Sequence, residues 1–500
     1  MSSAAIIGAG FSGLSAASCL AREGFEVTVL EKNGGPGGRA GKLEAAGFTF
    51  DTGPSWYWMP DVFERYFSHF GKDPADYYNL VRLDPSYRIY YGKNDYLDIP
   101  AGIPALTDLF EQLEPGSGVR LEAFLKESKY KYDIGMHDLV YRPGRSLTEL
   151  LDMSLLRNVF RLHILKPISQ YIRTFFKHPR IIQLLEFPIL FLGSTPARTP
   201  ALYSLMNYAD MALGTWYPMG GMHAVVTGMT SLASSLGVTF KYNQPVDSFE
   251  IDGPHINGIW SDDTLEPCDF VVASADYHHV EQQLLPERFR KYNASYWRSR
   301  TMAPSSLLFF LGINKKMNSL EHHTLFFDED FGQHAIEIYD TPRWPTAPQF
   351  YVSCASRTDP AMAPAGCESL VILIPVAPGL EDNERTREKY FDLVLRRLES
   401  ITGEHIREHI VFKKSYAHRD FITDYNAFKG NAYGLANTLT QTANLRPSII
   451  NNKLSNLFYT GQLTVPGPGV PPSLISGQVV ARELMKKAGA KKRKHLHLVG

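Results

Sequence analysis

Three glycines and one acid near the start of the chain can do recognisable chemistry together. Gly8, Gly10 and Gly13 are spaced G-x-G-x-x-G, and Glu31 follows Gly13 by 18 residues. In a chain with 39 glycines the bare triplet is a weak signal. Its setting strengthens it: residues 4–9 read as a short buried strand, the stretch to Glu23 as a helix, and residues 26–30 as a second strand. Gly8 then permits the tight turn, Gly10 lets the backbone approach a pyrophosphate, and Gly13 lets helix and strand pack closely. The helix N-terminus turns its partial positive charge toward the phosphates, and Glu31 accepts hydrogen bonds from ribose hydroxyls. This is a dinucleotide-binding βαβ unit. A second glycine turn in EKNGGPGGRA brings Gly38 and Arg39, whose guanidinium can lie against phosphates. A plain nicotinamide domain needs no such element, so the sequence favours FAD.

The elements that must position these groups are interleaved along the 500 residues. The expected fold is α/β, with a Rossmann-like FAD-binding domain assembled from residues 1–95, 216–300 and 431–485. Residues 100–215 read as helical, with breaks at Pro167, Pro179 and Pro188 in the stretch 146–192. Strands are expected at 238–242, 246–251, 256–260 and 270–273. A mixed-sheet substrate domain spans 300–430, with strands at 306–313, 349–355 and 369–376 and a helix near 385–400. Residues 486–500 form a basic tail.

Composition removes several classes. Lys and Arg number 51 against 52 Asp and Glu, for a net charge of −1, so no global field for nucleic acid exists. Four cysteines are scattered without a C-x-x-C pair, which disfavours a disulfide framework and fits a reducing, cytoplasmic setting. The longest apolar runs, 307–313 and 370–376, fall far short of the ~20 residues of a membrane span. The first 21 residues lack a basic leader, so no signal peptide is expected. His405 and His409 fall in an H-x-x-E-H pattern, but no third ligand accompanies them. Side chains of the adjacent pairs His278-His279 and His322-His323 diverge. No metal is expected.

Three stretches together resemble a known family: IIGAGFSGL…VTVLEKNGGPGGRA…FTFDTGPSWYWMP at the start, WYPMGGMHAVVTGMTSLASSLGVTF in the middle, and NLFYTGQLTVPGPGVPPSLISGQVVARELM at the end. They are similar to the bacterial carotenoid desaturases of the phytoene desaturase type, within the FAD-dependent amine oxidase superfamily. The resemblance implies that Gly8, Gly10, Gly13, Glu31, Gly38 and Arg39 contact the adenosine diphosphate part of FAD. It implies that Asp51, Gly53 and Pro54 run toward the flavin and that the Val246 backbone meets the adenine. Gly461 and Gln462 fall where relatives have a glycine and an acid beside the ribityl-phosphate chain; Gln462 departs from that pattern. Gly469 and Val470 open a helix whose N-terminus faces the flavin ring, where its dipole favours negative charge.

The implied activity is desaturation of phytoene, a C40 isoprenoid, toward a lycopene-type carotene, with quinone or oxygen as electron acceptor. Such a reaction needs an oriented C–H, a hydride acceptor and excluded water, and its substrate offers only shape and apolar surface for recognition. Trp56, Tyr57 and Trp58 are candidates for the substrate wall, since aromatic faces stabilise transient positive charge. Glu186 and Asp210, in the apolar helical region, are candidates for the general base. Residues 153–180 carry Arg157, Arg161, Lys166, Arg173, Lys177 and Arg180 among apolar side chains, without an acid. With the basic tail they suggest a helical membrane-associating region and a peripheral place on the inner face of a membrane. Competing readings are another carotenoid desaturase, isomerase or ketolase, a flavin amine oxidase, and a non-enzymatic prenyl-lipid carrier of the same fold.

Overall fold

The computed structural model describes residues 1–145, 162–438 and 440–498, with the side chains of 190–192 and those beyond 489 outside the description. Its first layer is a five-stranded parallel sheet in the order Leu457–Tyr459, Phe270–Ala273, Ser3–Ile7, Glu26–Leu30 and Thr239–Lys241. A parallel sheet is covered on both faces, which is why its strands are near-continuous apolar runs. Ala4, Ile6, Val27, Val29, Phe270 and Val272 point to the helices Phe11–Arg22, Met222–Ser235 and Val470–Leu498. Ala5, Ile7, Leu30, Val271 and Ala273 point the other way, into a core that includes Phe249, Ile256 and Ile259. Those three belong to an antiparallel sheet of Ser248–Asp252, His255–Ser261 and Thr264–Pro267.

A second, seven-stranded sheet runs Ile410–Tyr416, Ser305–Ile313, Glu368–Val376, Phe350–Ser353, His323–Phe326, Tyr87–Gly92 and Asp95–Ile99. Its pairings are antiparallel except that of His323–Phe326 with Tyr87–Gly92. Leu307, Phe309, Leu311, Ile372 and Ile374 pack one face against the helix Glu384–Thr402. The helices Ile103–Leu113, Ser117–His137, Ile168–Ile172 and Pro179–Glu186 form a further core with Tyr87, Ile89, Leu325 and Tyr351.

Several expectations shift. Residues 87–95, assigned to the opening of the nucleotide domain, belong to a hairpin of Tyr87–Gly92 and Asp95–Ile99 that pairs instead with the second sheet, in register Thr324↔Arg88 and Leu325↔Ile89. Its alternating Tyr87 and Ile89 find an apolar core there, and that core draws the hairpin to the open edge of His323–Phe326. The strand expected at 246–251 begins at Ser248, so Val246 lies in the preceding loop. The basic tail continues the last helix, which runs from Val470 to Leu498.

Most of the described apolar residues expected to face lipid lie inside, although Leu165 is exposed and Ile164 and Phe175 are half-buried. Leu162 is fully buried, and so are Ile168, Ile172 and Phe176, which the helical core offers a protein partner. Arg173 is ion-paired with Glu186, and Arg180 with Asp95 at 2.6 Å. Residues 153–161, with Arg157 and Arg161, lie outside the described residues. Among those described, no helix is long and apolar enough to cross a membrane.

Candidate functional site

A cavity of about 480 Å³ opens at the C-terminal ends of the two N-terminal strands. Gly8, Gly10, Glu31, Gly38, Arg39, Gly53, Pro54, Val246, Gly461, Gln462, Gly469 and Val470 all line it. Gly10 is where a ligand backbone can approach: a Cβ placed there meets no atom within 4 Å. Gly13 has the other role read from the sequence. A Cβ there would stand 2.1 Å from the Gly8 carbonyl oxygen, so this glycine lets helix and strand touch, and it does not line the cavity. The Glu31 carboxylate is buried and accepts the N–H of Ala9 at 2.8 Å and of Asn33 at 2.9 Å. Each oxygen keeps a lone pair for a ribose hydroxyl.

Two helix N-termini converge on the same space: Gly10 caps the first helix, and Gly469 precedes the last. Arg39 lies between them in the chain's second glycine turn. Its guanidinium sits 5.3 Å from the Tyr425 ring centre and donates to the Asn431 carbonyl at 3.3 Å. With its amide oxygen facing that guanidinium, Gln462 accepts from Arg39 at 3.0 and 3.2 Å. The neutral amide of Gln462 is thus a partner for the guanidinium. Arg39 Nε has no protein partner. Burial lowers the Arg39 pKa, with the Asp276 carboxylate opposing. A half-buried guanidinium bonded to neutral oxygens has charge to give to a phosphate. The open cradle at Gly10, the orphaned Nε and the two helix ends fit a dinucleotide pyrophosphate.

Asp51 departs from its expected place. Its carboxylate accepts the backbone N–H groups of Met222 and His223, at the N-terminus of the helix Met222–Ser235. It does not line the large cavity. The helix end offers unpaired donors and a positive dipole, which hold the carboxylate, and burial pushes it up to about 7.

The far end of the cavity rests on the second sheet. Leu308, Leu373, Tyr351 and Leu325 are directly opposite one another on adjacent strands and so share one face. Leu308 and Leu373 wall the large cavity. Leu373, Tyr351 and Leu325 wall a second cavity of about 40 Å³, together with Phe187, Phe327, Ile338, Phe350 and Tyr433. Leu373 and Tyr433 belong to both. No carboxylate, lysine or arginine lines the second cavity. Its His334 accepts the Gln349 N–H at 3.1 Å and is 2.9 Å from the Pro375 carbonyl, and burial lowers its pKa. Sequence reading placed strands at Leu308, Tyr351 and Leu373 but named none of these wall residues as site residues. The alternation was visible; which face would meet a ligand was not.

The aromatic triplet sits behind this wall. Tyr57 is core, stacked on Phe63 at 4.4 Å with its hydroxyl on Tyr78 at 2.9 Å. Trp58 donates to Thr215 Oγ1 at 2.9 Å. Trp56 packs on Phe187 and Tyr351, and lies flat against His323 at 4.1 Å. None of the three lines either cavity. The two acids proposed as base are also held elsewhere. Glu186 pairs with Arg173, and burial raises its pKa against that pairing. Asp210 accepts the Tyr87 hydroxyl at 2.7 Å and that of Thr215 at 3.2 Å, and burial pushes it up to about 7. Apolar packing left these carboxyls only local donors. Among the described residues no group of three His, Cys, Asp or Glu side chains gathers as a metal site would.

A family model of flavin containing amine oxidoreductases matches residues 11–485. The chain is 42% identical over 484 residues to a carotenoid 3,4-desaturase of Haloarcula japonica, covering 96% of this chain and 97% of that one. It is 32% identical over 497 residues to a zeta-carotene-forming phytoene desaturase of Myxococcus xanthus, covering 97% and 94%. Among solved structures, an oxidoreductase from Methanosarcina mazei shares the fold, with a TM-score of 0.63 at 16% identity over 96% of this chain and 100% of that one. The glycine cradle, the half-buried Arg39 and these relatives agree: the chain belongs to the flavin-containing amine oxidoreductases, among their carotenoid desaturases, and its cofactor is FAD.

Proposed function

We propose that the protein desaturates a linear C40 carotenoid, converting a C–C single bond beside the conjugated chain into a double bond. The observation that carries this reading is the apolar cavity that shares Leu373 and Tyr433 with the FAD cavity and has no carboxylate, lysine or arginine in its wall. An amine substrate needs a polar anchor; a hydrocarbon needs shape and water exclusion. FAD supplies a two-electron acceptor for a hydride. Glu31, Arg39 and the helix ends bind it, the Leu308–Leu373–Tyr351–Leu325 row orients the hydrocarbon against it, and Phe187, Phe327 and Phe350 keep water out.

Between the two desaturation sites in the relatives' names, we favour the 3,4 bond of an already conjugated carotenoid, because identity is 42% to that relative and 32% to the phytoene desaturase. Phytoene is the second reading. Purified holoprotein with a quinone acceptor is given phytoene or lycopene in liposomes, and products are read by absorbance and mass. Each step removes two hydrogens and shifts the absorbance to the red. Loss of two mass units from lycopene with phytoene untouched supports the first reading; turnover of phytoene alone selects the second. Oxidation of an amine with both carotenoids unchanged overturns both. A water-insoluble substrate must be collected from a bilayer, so we propose a membrane surface as a partner. Flotation with anionic liposomes that falls as salt rises is expected, and no flotation at low salt overturns it.

A further inference from the structure

We infer that Tyr351, backed by His323, takes the proton that desaturation releases; this rests on the desaturase reading above. Two hydrogens leave the substrate, one as hydride and one as proton, and the acids first suspected of receiving the proton are held elsewhere. The apolar cavity is lined by three tyrosines instead, Tyr339, Tyr351 and Tyr433. That of Tyr351 is wired to a second acceptor: it lies 2.6 Å from His323 Nδ1 and 2.9 Å from Ser55 Oγ. Tyr351 stands directly opposite Leu373, the residue that walls both cavities, so it belongs to their junction. With the imidazole proton on Nε2, Tyr351 donates to Nδ1, and Ser55 and Ser353 both reach its oxygen; rotation of one serine hydroxyl leaves that oxygen a lone pair for an incoming proton.

His323 suits the role of sink. It is fully buried, and burial, with His322 beside it, holds its pKa well below the ordinary range, so the ring rests neutral. A weak base suffices, because a C–H next to carbon that is losing hydride is strongly acidic. The imidazole lies flat on Trp56, with ring centres 4.1 Å apart and planes 7° from parallel, and an indole face attracts the cation formed.

The step balances. One C–H bond breaks with its electron pair, for which FAD, held by Glu31, Arg39 and the helix ends, would supply the two-electron hydride acceptor. The neighbouring C–H bond breaks, its electron pair becomes the new π bond, and its proton goes to the Tyr351 oxygen as the phenolic proton moves to His323 Nδ1. The substrate is oxidised by two electrons, FAD is reduced by two, and the imidazole gains one proton, which it returns to water on product release.

The test uses holoenzyme and a carotenoid deuterated at the proton-losing carbon, in vesicles, under anaerobic single turnover. Tyr351→Phe keeps the ring and removes the hydroxyl. Flavin bleaching is expected to slow on the order of 10²-fold, with FAD content and carotenoid binding unchanged. The isotope effect at that carbon is expected to grow, because proton loss becomes limiting. In ¹⁵N-histidine protein the His323 Nδ1 resonance moves when the hydroxyl is removed. If Tyr351→Phe loses FAD, His323→Phe, which keeps a flat ring on Trp56, is read in the same assay. Wild-type rate and isotope effect in the variant overturn the Tyr351 role while leaving the desaturase reading intact. A wild-type enzyme that desaturates no carotenoid overturns the reading beneath it.

Discussion

At the residue scale, glycines that look alike in the sequence answer to different forces. Gly10 faces open cavity, whereas Gly13 has a carbonyl oxygen 2.1 Å from where its Cβ would stand. Gly10→Val is therefore expected to fold with near-wild-type thermal stability and to purify without flavin absorbance. Gly13→Val is expected to lose stability by at least ~1–3 kcal/mol, the usual cost of overpacking, and to melt markedly lower. Asp210 gives a second test. Its carboxyl, 3.8 in an unfolded chain, is raised to about 7 by burial. The native state then holds a proton that the unfolded state has released, so stability from this group is full below about pH 4 and is lost as pH rises toward about 7. Asp210→Asn is expected to reduce the fall in melting temperature between pH 5 and pH 8. Turnover in that variant should stay near wild type, since Asp210 bonds Tyr87 and Thr215 and does not line either cavity. Loss of turnover without change in the pH slope would reinstate it as a candidate general base.

At the scale of elements, the nucleotide site depends on how the first and last helices meet. A Cβ on Gly477 would stand 2.3 Å from the Ser12 carbonyl oxygen, and Ser15 Oγ donates to the Leu474 carbonyl at 2.7 Å. This close crossing sets both helix N-termini on one cavity. Gly477→Ala is expected to push the helices apart, lowering thermal stability by ~1–3 kcal/mol and weakening FAD retention on dilution. A variant with normal melting and normal FAD content would show that the crossing has slack. The βαβ opening was legible because its elements are local: strand, turn and helix are spelled within residues 3–30. Residues 87–95 of the hairpin were misplaced because an edge strand's partner is chosen by tertiary packing, here His323–Phe326, over 200 residues away.

At the scale of the whole molecule, the two cavities meet where the parallel sheet's ligand end abuts the second sheet. Because FAD and the hydrocarbon occupy separate walls, they should be separable by mutation. Ile338 lines only the apolar cavity, on the helix Phe331–Tyr339. Ile338→Trp is expected to fill that cavity, leaving FAD stoichiometric while KM for the carotenoid rises or turnover fails; parallel loss of FAD would mean the cavities are not independent. The sequence alone determined the cofactor and most of its cradle, because phosphate binding by glycine turns and helix ends is built from residues close in the chain, and family resemblance tied the C-terminal Gly461–Val470 segment to the same site. It named Trp56, Tyr57 and Trp58 for the substrate wall and Asp51, Glu186 and Asp210 as site acids, but not the partners that folding gives them. Tertiary structure decided those. A buried carboxyl takes whatever donors folding brings to it, and the apolar wall of Leu308, Leu373, Tyr351 and Leu325 exists only once four strands lie in register, each contributing one side chain to a common face.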